Sequence, residues 1–225
     1  MSNKKSPFYV PTQNGNSWQA LLADPVKHWK DGYSAKMLAE CWENASGFPP
    51  NFKSALYKAN LKLDLILGLP EHQVDLDNAK RPSQNDLFIL ARDIEKLYAV
   101  SVEGKVNEAF GPLILEWYQD PSEGKVSRLA FLLKTLELSG TAAQYNNLHY
   151  QLFHRTASAL LMAEKLHAKS AMMVVHSFSD ADAHFQDFAD FAKLYDPSWQ
   201  PQVGEIKMVK RLDSGIDLWL GWVKG

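Results

Sequence analysis

Asp86 opens a short apolar run, "DLFILA" (86–91), and Glu103 and Lys105 close the next one, "LYAVSVEGK" (97–105). In extended chain, successive side chains alternate faces, so Ser101, Glu103 and Lys105 share one face while Val100 and Val102 take the other. The intervening "RDIEK" is short enough for an antiparallel hairpin. With the turn centred between Ile94 and Glu95, Asp86 falls opposite Glu103, at a Cβ separation of about 4.5–5.5 Å. Two carboxylates that close repel unless a proton or a cation stands between them. A hard divalent ion with oxygen ligands resolves the conflict, and Lys105 would sit beside it. The competing reading shifts the pairing and leaves these charges as decoration of a strand end.

The tetrad Glu103-Gly104-Lys105-Val106 recurs as Glu123-Gly124-Lys125-Val126. The second copy carries helix-start signals: Asp120 as N-cap, Pro121 in the first position and Glu123 three residues after the cap. Val126, Leu129, Ala130, Leu133 and Leu136 then recur at helical spacing. Glu123 therefore reads as a capping residue. Lys125 and Arg128 lie near that helix start, where a phosphate would be welcome, or they are solvated surface charges. The tetrad lacks the upstream Gly and the following Ser or Thr of a phosphate-binding loop. On a further helix over 147–167, Leu148, Leu152, Ala159 and Ala163 form the buried face. Gln151 and Arg155, four apart, project together beside it. They either anchor the helix by hydrogen bonding or present Arg155 to a phosphate.

Placing these groups requires a defined set of elements. "SAKMLAECWENASG" reads as a first helix, with Ser34 as cap, a stripe of Met37, Leu38, Cys41, Trp42 and Ala45, and Gly47 as stop. Glu40 lies on the flank of that stripe. A helical piece around 52–60 leads into a first strand, "LKLDLILGLP". The two strands above follow, then helices over 121–138 and 147–167 and a buried strand, "SAMMVVHSF" (170–178). A helix over 180–195 and a last strand, "IDLWLGWV" (216–223), end the chain. His176, near the end of its strand, reads as a packing residue. The order implies a single α/β domain over 34–225, a mixed central sheet flanked by helices, preceded by an N-terminal arm and short helix over 1–33.

Composition narrows the classes. The formal charge is −2, so no global positive field points to nucleic acid, although a local basic channel is compatible with it. The single cysteine, Cys41, excludes an intramolecular disulfide framework and suits a reducing compartment. No apolar run suggests a leader or a membrane span, and the chain reads as cytoplasmic with no membrane partner. Paired-cysteine metal sites, H-E-x-x-H and G-x-S-x-G are all absent.

Asp86 followed by Glu103-Gly104-Lys105 on the next strand, with a helix before three strands and then helix and strand, resembles the PD-(D/E)XK nuclease-like superfamily. The stretches "PEHQVDL", "RPSQNDLFILAR", "VEGKVNEAFGP", "GKVSRLAFL", "YQLFHRTASAL", "VHSFS" and "LWLGWV" also resemble an uncharacterised family of small proteins within that fold. The resemblance implies a restriction-endonuclease-like αβββαβ core with an extra C-terminal helix and strand. It implies hydrolysis of phosphodiester bonds in nucleic acid, DNA before RNA, with Mg2+ or Mn2+ as cofactor. Asp86 and Glu103 would hold the ion with the Gly104 carbonyl, and Glu40 would add a ligand from the first helix. Lys105 would orient the attacking water with Gln151 as its companion. Arg155 would face phosphate, as Lys125 and Arg128 would on the helix-start reading above. The residue before Asp86 is Asn85 where the superfamily's nominal residue is proline, and no DNA-reading domain accompanies the core. The alternative is a catalytically silent nuclease-like fold acting as a binding or assembly module. A homodimer is compatible with either.

Overall fold

Among the described residues, six strands form one mixed sheet, and helices cover both of its faces. The computed structural model describes residues 12–77 and 81–225. The strands are β1 (Asp64–Val74), β2 (Ser83–Arg92), β3 (Leu97–Lys105), β4 (Ser170–Ser177), β5 (Glu205–Arg211) and β6 (Asp217–Lys224). The helices are α1 (Ser34–Glu43), α2 (Pro50–Lys58), α3 (Ile114–Trp117), α4 (Glu123–Thr135), α5 (Tyr150–Lys165) and α6 (Phe185–Ala192). β1, β2 and β3 run antiparallel in sequence, β3 pairs parallel with β4, β4 with β6, and β5 closes the far edge antiparallel to β6.

The centre of the sheet is apolar on both faces, as strands covered on both sides must be. All eight residues of β4 are buried. One face packs Val100, Val102, Met172 and Val174 against Leu38, Trp42, Phe52 and Leu56 of α1 and α2. The other packs Ala99, Met173 and Val175 against α4, α5 and α6 through Leu132, Leu152, Phe153 and Phe188. His176 is fully buried, as expected of a packing residue. It accepts a hydrogen bond from the Trp42 indole at 3.0 Å, and burial depresses its imidazole to about 3.

Several sequence expectations are corrected. The short helix expected within 1–33 is a 3-10 helix, Gly15–Leu21, whose Trp18 is 1% exposed and donates to Glu43 at 2.8 Å. Residues 1–11 of the expected arm lie outside the described residues. Ser34 is the first residue of α1 and Tyr33 its N-cap. Ser122, not Asp120, caps α4, accepting from the Lys125 N–H, because Asp120 adopts φ +44° rather than the extended conformation of an N-cap. Strand β5 was not anticipated. Among the described residues, no helix is long and apolar enough to cross a membrane.

Candidate active site

The site is built where the sheet's ladder stops. β2 and β3 pair from Arg92↔Leu97 to Leu87↔Val102, the register expected from a turn between Ile94 and Glu95. Extended by one step, that register sets Asp86 against Glu103, but the ladder has already opened there. The Asp86 carboxylate accepts instead from the Gly104 backbone N–H at 2.8 Å. Asn85 fills the place where a proline would offer nothing. It is fully buried, its amide donates to the His72 carbonyl at 3.2 Å, and its oxygen accepts from the Ser101 hydroxyl. One side chain thus stitches β1, β2 and β3 together beside Asp86.

On the edge strand, Pro70 pairs with Leu87 and His72 with Asn85, which puts Glu71 opposite Asp86. Glu71 sits at φ +53°, a left-handed conformation uncommon for a residue with a side chain. Strain of this kind persists only where surrounding structure imposes it. Glu71, Asp86 and Glu103, from three adjacent strands, all line one cavity of about 810 Å³. Sequence reasoning missed Glu71 because Pro70 reads as the end of a strand. On an edge strand, however, proline is tolerated.

The three carboxylates are not equivalent. Burial pulls the Glu103 carboxyl up, but Arg155 and Lys105 outweigh it, and the group is held below the ordinary range. Glu103 Oε1 accepts from Lys105 Nζ at 2.9 Å and from Gln151 at 2.7 Å, and Oε2 accepts from Arg155 Nε. Burial, and then the Glu103 charge, pushes Asp86 up to about 7. Burial, and then the Asp86 charge, pushes Glu71 up to about 8. Each shift follows from placing several acids in one low-dielectric recess with cations on one of them only.

α5 supplies the cationic wall. Its first turns run along the open end of β3, so Gln151 and Arg155, one helical turn apart, both reach Glu103. Gln151 also accepts from Lys105 at 3.2 Å. Arg155 donates to the Ser83 hydroxyl at 2.9 Å, and Ser83 contacts His154 Nδ1 at 2.8 Å. Burial, with the positive charge of Arg155 next, holds the His154 imidazole well below its ordinary range. Lys105 Nζ lies 4.9 Å from the Phe110 ring centre, in cation–π range. A Cβ at Gly104 would stand 3.4 Å from Asp86 Oδ2 and from Leu38, in close contact with both.

The structure therefore brings Asp86, Glu103, Gly104, Lys105, Gln151 and Arg155 together. Glu40 stays outside: the buried face of α1 centres on Leu38, Ala39 and Trp42, which turns Glu40 to solvent beside Lys36 at 3.8 Å. Lys125 and Arg128 line a second cavity of about 590 Å³, which shares Tyr150 and His154 with the first. They differ sharply there. Arg128 is buried and bound to Asp77 at 2.7 Å and to the Arg81 carbonyl at 3.0 Å. Lys125 lies 5.8 Å from the Trp117 ring centre, over the Trp117–Tyr150 stack.

The first cavity is lined by four carboxylates, with Glu108 as the fourth, and by Lys27, Lys105 and Arg155. Its polar floor offers oxygen donors, the chemistry of a hard divalent ion. Among the described residues, no three His, Cys, Asp or Glu side chains already stand in a ligating arrangement.

The chain matches the family model described as Domain of unknown function (DUF6946) over residues 11–225, and it belongs to that family. No curated protein and no solved structure matches it.

Proposed function

We propose that this member of the DUF6946 family hydrolyses phosphodiester bonds of nucleic acid, DNA before RNA, with Mg2+ or Mn2+ at the floor of the first cavity. The observation that carries the reading is the meeting of Glu71, Asp86, Glu103 and Lys105 in one recess at the open end of β1, β2 and β3. A PD-(D/E)XK nuclease-like assignment is supported by the antiparallel β1-β2-β3 run, the helix α5 after it and the parallel return through β4.

The residues fit a divalent cation. Asp86 and Glu71 are acids whose proton affinity is raised first by burial, then by the Glu103 charge at Asp86 and by the Asp86 charge at Glu71, so a cation would relieve the repulsion that a proton now relieves. Asp86, Glu71 and Glu103 would hold it, with the Gly104 carbonyl in reach of the same strand end. Such an ion offsets phosphate charge and supplies Lewis acidity at the reacting group. Lys105, braced between the oxygens of Glu103 and Gln151, positions the attacking water by hydrogen bonding. Arg155, committed to Glu103 and Ser83, keeps that carboxylate ionised and aimed into the cavity. The observation favouring the alternative, a silent binding module, is that both Glu103 oxygens are already satisfied by three donors.

The test is cleavage of labelled DNA and RNA oligonucleotides with Mg2+, Mn2+ or EDTA. Metal-dependent products that disappear in Asp86→Asn and Lys105→Met support hydrolysis. Binding without cleavage in the wild type supports the module. Cleavage that survives both substitutions removes the assignment of these residues.

A further inference from the structure

Glu103 is 2% exposed and Lys105 is 4% exposed, so the candidate chemical groups lie at the bottom of a recess rather than on an open groove. Two segments wall the recess. Residues 22–33, linking the 3-10 helix to α1, contribute Lys27, His28 and Tyr33, and the loop after β3 contributes Ala109, Phe110 and Pro112. The first of these segments is tied down through Trp18, which is buried and bonded to Glu43. The cavity, about 810 Å³ and open on one side, is of a size that takes one small ligand, on the order of 300–1,000 Å³, with Glu103 and Lys105 at its buried floor. A base-paired helix presents its phosphates on the outside of a broad rod and cannot carry one to such a floor without unpairing. An unpaired strand or a frayed end can.

The neighbouring cavity extends the same path. It adjoins the first across Tyr150 and His154, and its wall carries Arg81, Lys125 and the Trp117–Tyr150 stack, whose rings lie 4.0 Å apart at 9°. Cations beside flat aromatic rings are the chemistry that single-stranded nucleic acid uses, phosphates on the cations and bases against the rings. The formal charge of −2 supplies no global positive field that would draw in a duplex.

The geometry points to an unpaired nucleic-acid strand as the substrate, with its reacting phosphate in the first cavity and its adjoining nucleotides along Arg81, Lys125 and the Trp117–Tyr150 stack. This inference rests on the hydrolytic reading above and goes further by excluding continuous duplex.

The experiment compares four substrates of one sequence under Mg2+ and under Mn2+. They are a single-stranded oligonucleotide, a duplex with a long single-stranded overhang, a blunt duplex, and relaxed covalently closed circular DNA. The single strand and the overhang are expected to be cut at least about tenfold faster than the blunt duplex, since unpairing costs a few kcal/mol. The closed circle is expected to stay intact. Internal cutting of the blunt duplex within about twofold of the single-strand rate, or linearisation of the circle, overturns the inference while leaving the hydrolytic reading in place. No cutting of any substrate overturns both. A second arm measures KM on the single strand for Lys125→Ala and Arg81→Ala. A several-fold rise with kcat retained supports the path, and an unchanged KM in both removes it.

Discussion

Asp86 binds the Gly104 backbone N–H at 2.8 Å, one residue from Glu103, at the point where β2 and β3 part. This fixes an acid beside two others in a buried recess, and its pH consequence has a definite sign. Asp86 at about 7 and Glu71 at about 8 hold protons in the folded chain more tightly than at their ordinary 3.8 and 4.5. Their contribution to stability is complete below about pH 4 and is lost as pH rises through 7 to 8. The buried histidines act in the opposite sense at lower pH, so the comparison must be between variants. In EDTA, Asp86→Asn and Glu71→Gln are expected to gain stability over wild type between pH 5 and 8.5, by up to about 1.4 kcal/mol per pH unit. Urea unfolding at three pH values reads this, and a pH-independent difference would contradict it.

Arg155 and Glu103 form a buried pair within a larger hydrogen-bonded cluster. Removing one partner of such a pair strands a charge and costs about 3–5 kcal/mol. Arg155→Met is expected to fall in that range, and Arg155→Met with Glu103→Gln to recover most of it. A double-mutant cycle by chemical denaturation measures the coupling. A single-variant loss below about 1 kcal/mol would mean that the pair is not engaged as described.

Lys125 and Arg128, alike in the sequence, separate in the structure. Arg128→Met is expected to lower stability by about 3 kcal/mol through loss of its pair with Asp77. Lys125→Ala should stay within about 0.5 kcal/mol of wild type. Thermal unfolding distinguishes the two, and equal effects would contradict their different burial.

Trp18 is the anchor of the segment ahead of α1. Trp18→Ala is expected to cost about 3–5 kcal/mol, the usual loss for truncating a buried large aromatic side chain. A loss under about 1 kcal/mol would show that this segment does not belong to the cooperative core.

The hairpin register was legible because its connection is short and its two strands carry apolar runs of matching length. Gln151 and Arg155 were legible as a pair because helical geometry alone puts them together. Glu40 was misplaced: the apolar stripe was drawn through Met37 and Cys41, whereas Ala39 is the residue buried beside Leu38 and Trp42. β5 went unseen because an edge strand with Glu205, Lys207, Lys210 and Arg211 shows little apolar signal, as edges protected by charge do. Glu71 was hidden by Pro70, and its role depends on pairing between strands that no local pattern announces.

The central claim is that Glu71, Asp86 and Glu103 form one cation site. Titration of Mn2+ into wild-type chain at pH 7, followed by calorimetry in two buffers of different ionisation enthalpy, tests it most directly. The expected result is saturable binding with proton release, as Asp86 and Glu71 give up their protons, and stabilisation of about 2.7 kcal/mol at a hundredfold excess over Kd. Affinity should fall at least about tenfold in Asp86→Asn and in Glu71→Gln. Absence of binding at millimolar Mn2+, or equal binding by all three proteins, would contradict the account.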